Sequence, residues 1–163
     1  MATSQRNLSS YDAGTVPDAR HMKFGLVVSD WNSEITHAMC NSAIETLISH
    51  GAINDNIVVK HVPGSFELAL GAKWLAESDE FDAILCIGCV IQGETRHFEF
   101  ICQGVAQGIM QLNLTHGIPV VFGVLTTNTI EQARDRSGGR HGNKGDEAAI
   151  TAIKMIALKK EIE

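Results

Sequence analysis

Ile91-Gln92-Gly93-Glu94-Thr95-Arg96-His97-Phe98 is the stretch of this chain with the densest supply of reactive side chains. Its glycine permits close backbone approach, and a hydroxyl, an arginine and a histidine follow at once. The segment joins a strand-like apolar run, Ala83 to Ile91, to a long apolar helix pattern beginning near Phe98. A strand passing through glycine into a helix leaves unpaired backbone N–H groups at the helix start, where the macrodipole also favours an anion. The chemistry this predicts is phosphate or carboxylate binding beside a proton-transfer group, because histidine exchanges protons near neutrality. The plainer reading is a strand-to-helix turn capped by Thr95, with His97 as a structural hydrogen bonder.

Three further clusters follow strand-like runs: Asp30-Trp31-Asn32, then Pro63-Gly64-Ser65-Phe66-Glu67, then Arg136 with the glycine-rich stretch Ser137 to Gly145 that carries Lys144. Trp31 and Phe66 would suit a flat heterocycle stacked between rings. Glu67 and the backbone of Cys89-Val90-Ile91 could read its hydrogen-bonding edge. Against these stand Trp31 as core filler and Glu67 as a residue that merely favours a helix start. The remaining histidines (His21, His37, His50, His61, His116 and His141) have no comparable setting and read as surface or packing residues. The Asn143-Lys144-Gly145 stretch lacks the P-loop order, and no G-x-G-x-x-G follows the first strand, which counts against a dinucleotide.

Cys86-Ile87-Gly88-Cys89 has redox spacing, but such pairs work at a helix N-terminus, and these lie inside a strand run that sends them to opposite faces. They read as buried structural cysteines; Cys40 and Cys102 are the other two cysteines of the chain. No cysteine or histidine spacing completes a zinc site, so no metal is expected.

The elements that must position these loops follow from periodicity. Strands are predicted at Lys23 to Ser29, Ile57 to Val62, Phe81 to Ile91 and Val120 to Leu125. The third has almost no polar alternation and should be central and covered on both faces. Helices follow from Asn32 or Ser33 to His50, over Leu68 to Ala76, from Phe98 to His116, from a capping box at Asn128-Thr129-Ile130-Glu131 to about Arg136, and from Asp146 to Glu163. This order predicts an α/β fold: a single four-stranded parallel sheet flanked by helices on both faces, with right-handed crossovers. Residues 1–20 lack periodicity and form an arm, disordered or laid on a neighbouring subunit. Residues 21–163 make one domain.

The third helix is unusual. Phe98, Ile101, Cys102, Val105, Ile109 and Leu112 form a core stripe, Gly104 and Gly108 allow close packing, and the polar stripe is Gln103, Gln107 and Gln111 without Lys, Arg or Asp. A solvated helix face normally carries charge, so this one is expected to pack against other copies of the chain.

At 163 residues the chain can bury a proper core. Its net charge of −6 offers no basic stripe for nucleic acid. No apolar run is long enough for a membrane span, and the polar Met1 to Ser10 lacks a signal core, which leads to a cytoplasmic expectation.

Ser29-Asp30-Trp31-Asn32-Ser33-Glu34-Ile35-Thr36, Val62-Pro63-Gly64-Ser65-Phe66-Glu67, Gly88 to His97, Phe122-Gly123-Val124-Leu125-Thr126 and Gly142-Asn143-Lys144-Gly145 together resemble the 6,7-dimethyl-8-ribityllumazine synthase family. The likeness runs from Phe24 to the C-terminus, and several separated blocks in one order make it specific. It implies a flavodoxin-like three-layer sandwich. It also implies the penultimate reaction of riboflavin synthesis: condensation of 5-amino-6-(D-ribitylamino)uracil with L-3,4-dihydroxy-2-butanone 4-phosphate, without cofactor or metal.

By the same resemblance Trp31 stacks on the pyrimidine, and Ser65, Phe66 and Glu67 contact the ribityl chain and ring. Cys89, Val90 and Ile91 read the uracil edge through their backbone. Gly93, Glu94 and Thr95 cradle phosphate with Arg136, and His97 is the general acid/base. Phe122, from the adjacent subunit, and Lys144 complete the site. The family forms pentamers and, in some members, icosahedral shells; riboflavin synthase is the implied partner. Arg140-His141 departs from a more usual Lys-Ala. The alternative is a non-catalytic flavin or lumazine carrier, or a shell protein, on the same scaffold. A carrier could lose His97 or Arg136, and both are present.

Overall fold

In the computed structural model, residues 7–163 are described. Four β-rich runs become strands: Phe24–Ser29 (β1), Ile57–Val62 (β2), Ala83–Ile91 (β3) and Val120–Thr127 (β4). They pair in parallel in the order β2-β1-β3-β4, with β1 against β2 from Phe24↔Ile57 and β3 against β4 through Ile91↔Thr127. The helices are Ser33–Ser49 (α1), Leu68–Ala76 (α2), His97–His116 (α3), the short Ile130–Arg134 (α4) and Lys144–Ile162 (α5). This is the expected single parallel sheet between two helical layers.

Alternation along each strand divides the core in two. Leu26, Val28, Leu85, Ile87, Cys89 and Leu125 meet Ile35, Met39, Ala43 and Leu47 of α1 and Ala149, Ala152 and Ile153 of α5. Val27, Ile84, Cys86, Val120 and Val124 meet Leu68 and Ala72 of α2 and Val105, Ile109 and Leu112 of α3. The central strand β3 is buried from Ala83 to Cys89, as its unbroken apolar sequence requires. Cys86 and Cys89 fall in opposite cores, and burial pushes both thiols up to about 12. Neither is a thiolate at neutral pH, which removes the redox reading.

Two local expectations are corrected, and part of the arm is placed. From Asn7 onward the arm lies on its own chain: Leu8 N–H donates to the His141 carbonyl at 2.7 Å, the Asn143 N–H donates to Ser9 Oγ at 2.9 Å, and Tyr11 tilts against His50. The first six residues of that expected arm lie outside the described residues. The glycine-rich loop is a small antiparallel hairpin, Ser137–Gly139 (β5) with Gly142–Asn143 (β6). Gly138 and Gly142, at φ +118 and +80, occupy backbone conformations that side chains rarely adopt. The last helix then begins at Lys144, because Asn143 Oδ1 accepts the Gly145 N–H and acts as N-cap.

Candidate active site

In the order β2-β1-β3-β4 the chain moves one way from β1 to β2 and the other way to β3 and β4. Ligands in open α/β sheets collect outside the carboxyl ends of strands at such a reversal. A pocket of about 770 Å³ lies there, walled by the turns after β1, β2 and β3 and by the first turns of α3.

The turn after β1 is held from several sides. Asp30 N–H donates to the Val62 carbonyl, Trp31 N–H to the Pro63 carbonyl, and Thr36 Oγ1 to the Ser29 carbonyl at 2.6 Å. Asn32 precedes α1 in the left-handed conformation, φ 61, which asparagine tolerates better than most residues. It makes no side-chain cap. Its amide instead donates to the Cys89 carbonyl at 3.0 Å, tying β1's turn to the end of β3. Trp31 is thereby left 71% exposed at the pocket wall, which excludes core filler.

After β2, Pro63-Gly64 breaks the strand and Ser65–Glu67 makes one 3-10 turn before α2. Phe66 is 58% exposed, and its ring lies so close to Gly104 that a Cβ there would come within 3.1 Å of it. Gly108 lets α3 approach Ala69 of α2 in the same way, as the sequence predicts for the two glycines. Ser65 Oγ is buried without a hydrogen-bond partner among the described residues. Buried hydroxyls are ordinarily paired; this one faces Gly88, where an added Cβ would come within 2.7 Å of it.

After β3, Gly93 has open space where a side chain would stand, leaving its backbone approachable. Thr95 Oγ1 accepts the His97 N–H at 3.3 Å, and His97 opens α3 as an exposed residue. A helix start of this kind supplies N–H donors and a favourable dipole to an anion.

The pocket therefore gathers Trp31, Ser65, Phe66, Glu67, Cys89, Val90, Ile91, Gly93, Thr95 and His97. Glu94 stands exposed in the same loop without lining it. Phe122, Lys144 and Arg136 are not brought in. Phe122 and Lys144 line a separate hollow of about 250 Å³ at the β4 edge, where Lys144 Nζ pairs with Glu147 at 2.5 Å. Arg136 lies in neither, its guanidinium donating to the Gln132 carbonyl at 3.0 Å. Sequence reasoning missed Phe100 and Ile101 as wall residues. Phe100 carried a signal, since it is a large aromatic lying off α3's core stripe. It also missed a convergence next to Trp31 in sequence, where His37 and His61, expected as surface or packing residues, both meet Asp30. The His61 hydrogen bond, and secondarily that of His37, holds the Asp30 carboxyl below the usual carboxylate range.

A three-layer α/β fold with an aromatic pocket at the strand-order reversal, and a histidine at the helix start beside it, defines an enzyme-like site. The sequence profile of the 6,7-dimethyl-8-ribityllumazine synthases matches residues 21–160. A protein of that name from Parabacteroides distasonis is 57% identical, covering 96% of this chain and 98% of the relative. Another, from Cytophaga hutchinsonii, is 56% identical over 96% and 98% of the two chains. A third, from Bacteroides fragilis, is 61% identical over 83% of this chain and 94% of its own. The chain belongs to the 6,7-dimethyl-8-ribityllumazine synthase family.

Proposed function

We propose that this chain is a 6,7-dimethyl-8-ribityllumazine synthase that works through a site shared between neighbouring copies. It condenses 5-amino-6-(D-ribitylamino)uracil with L-3,4-dihydroxy-2-butanone 4-phosphate, the penultimate step of riboflavin synthesis. The observation that carries the site assignment is the convergence of Trp31, Phe66 and the His97 end of α3 on one pocket. The pyrimidine stacks on Trp31 and Phe66, and the backbone of Val90 and Ile91 reads its edge. Cys89 contributes less to that reading, because its carbonyl already accepts from Asn32. Ser65 Oγ and Glu67 bond the ribityl hydroxyls. The phosphate sits on Gly93, Glu94 and Thr95 at the start of α3.

The 5-amino nitrogen attacks the butanone carbonyl, and loss of water leaves an imine. A proton then leaves the adjacent carbon as phosphate departs. The ribitylamino nitrogen closes the ring with loss of a second water. His97 relays protons between these steps. The N–H groups around Thr95 and the Arg136 guanidinium stabilise the charge of the departing phosphate. Holding two reactants in register supplies the largest share of the acceleration.

A second copy contributes Phe122, Lys144 and Arg136, which lie outside the pocket of their own chain. Its docking surface is supported by α3, whose Gln103, Gln107 and Gln111 are exposed beside Met110 and Leu114. The assembly is a homopentamer. The short Ser137–Lys144 hairpin, without insertion, favours further assembly into an icosahedral shell. The enzyme works in the cytoplasm, and its product goes to riboflavin synthase. No helix among the described residues is long and apolar enough to cross a membrane. Residues 1–20 are an arm to the catalytic domain 21–163.

Lumazine absorbance on mixing both substrates, corrected for the uncatalysed reaction, tests this. Wild type should exceed background, Arg136→Ala should fall by about 100-fold, and His97→Ala should fall less. A wild-type trace at background with ligand still bound would leave only a carrier.

A further inference from the structure

We propose that Asp30, His37 and His61 form a binding site for a divalent transition-metal ion of the zinc type. One ligand atom from each of the three lies within 4.8 Å of the other two. His61 Nδ1 stands 2.8 Å and His37 Nε2 3.5 Å from the same atom, Asp30 Oδ1. The two imidazoles meet edge to face with their centroids 5.5 Å apart.

The three side chains come from fixed elements. Asp30 directly follows β1 with its N–H bonded to the Val62 carbonyl, His61 lies on β2 opposite Val28, and His37 lies on α1. Zinc bonds nitrogen and oxygen at about 2.0–2.1 Å, and tetrahedral geometry then sets donors about 3.3 Å apart. The present spacings bracket that value, and the exposed side chains can close or open to it by rotation. Metal ligation requires the lone pair of each imidazole nitrogen, so binding replaces the hydrogen bond between His61 and Asp30. Two imidazoles and one carboxylate suit zinc, nickel or copper, whereas magnesium and calcium require oxygen shells. Water fills the remaining positions. The ion would join β1, β2 and α1 next to Trp31 and so stiffen the turn that presents this ring to the pocket. The metal site itself does not depend on which substrate the pocket takes.

The test is calorimetric titration of tag-free, chelator-treated protein with Zn²⁺. The expected result is one ion per chain, weakened about tenfold or more by His37→Ala and by His61→Ala, with His21→Ala unchanged. In a Trp74→Phe background, Ni²⁺ should quench Trp31 fluorescence, and His61→Gln should abolish the quenching. Circular dichroism verifies that each variant is folded. Absence of zinc binding near 0.1 mM, or binding that both histidine variants leave intact, overturns the proposal.

Discussion

The hollow at the ends of β1 and β3 and the hollow at the β4 edge differ in a way that size alone does not capture. The first, at about 770 Å³, falls in the range of small-molecule sites and is walled by three separate turns. The second, at about 250 Å³, lies at the β4 edge against α5. Its own polar groups are already engaged: Lys144 pairs with Glu147, and Asn113 bonds both the N–H and the carbonyl of Val120. A pocket built from three loops can hold a ligand within one chain. Under the proposed shared site, the edge hollow with its aromatic ring and cation supplies the second half.

The sharpest way to break that comparison is subunit mixing. Trp31→Ala/His97→Ala damages only the first hollow, and Arg136→Ala/Lys144→Ala only residues that lie outside it. Each assembly alone should fall by about 100-fold or more. Co-refolded in equal amounts, they should recover about a quarter of wild-type activity, the fraction of interfaces that pair two intact halves. If every site lay within one chain, the mixture would be as inactive as its parents.

A smaller effect is expected at Phe66 and Phe122. Phe66→Ala removes a stacking face worth about 1 kcal/mol, which corresponds to roughly fivefold weaker lumazine binding in a fluorescence titration. Phe122→Ala should weaken binding in the assembly and leave binding by dissociated chains unchanged. Equal losses in both states would place Phe122 in its own chain's pocket.

Asn32 separates backbone from side-chain effects at the first hollow. Asn32→Gly keeps the left-handed turn and loses the bond to the Cys89 carbonyl, at a cost of about 1 kcal/mol in denaturant unfolding. Asn32→Ala adds the strain of φ 61 and should cost about 1 kcal/mol more. Identical losses for the two would show that the turn is not held as described.

Much of this arrangement is legible in the residues, for identifiable reasons. Strands such as Ala83–Ile91 announce themselves because a doubly covered parallel strand admits only apolar residues. The loops after β1, β2 and β3 stand out because Trp31, Glu67 and His97 occur in otherwise polar or glycine-bearing turns. Strand order is not encoded locally, so the separation of Phe122 and Lys144 from the pocket could not be read from spacing. The Asp30–His37–His61 cluster is hidden for the same reason, since β1–β2 pairing creates it across more than thirty positions, as with the His61–Asp30 contact at |i−j| = 31. The Ser137–Asn143 hairpin escaped notice because its strands are too short to show alternation.

The smallest effect at working pH concerns the cysteines on either side of β3. Cys86 belongs to the core under α2 and α3, whereas Cys89 belongs to the opposite core and also touches the pocket. Burial pushes both thiols up to about 12 and Cys40 up to about 11 from an ordinary 9.0. A group whose folded-state pKa is raised contributes its full stability below the unfolded value and loses it as pH rises toward the folded one. Unfolding free energy should therefore be insensitive to these thiols up to about pH 9 and decline between about 9 and 12. Cys86→Ala should flatten part of that decline while creating a small cavity, so its neutral-pH stability falls as its alkaline sensitivity improves. Iodoacetamide at pH 8 should leave Cys86 and Cys89 unlabelled in folded protein, as mass spectrometry of the digested chain would register. If Cys89 alone is labelled, and bound lumazine prevents it, the pocket opens further along β3 than its wall residues indicate, and the division between a complete hollow and a half hollow narrows.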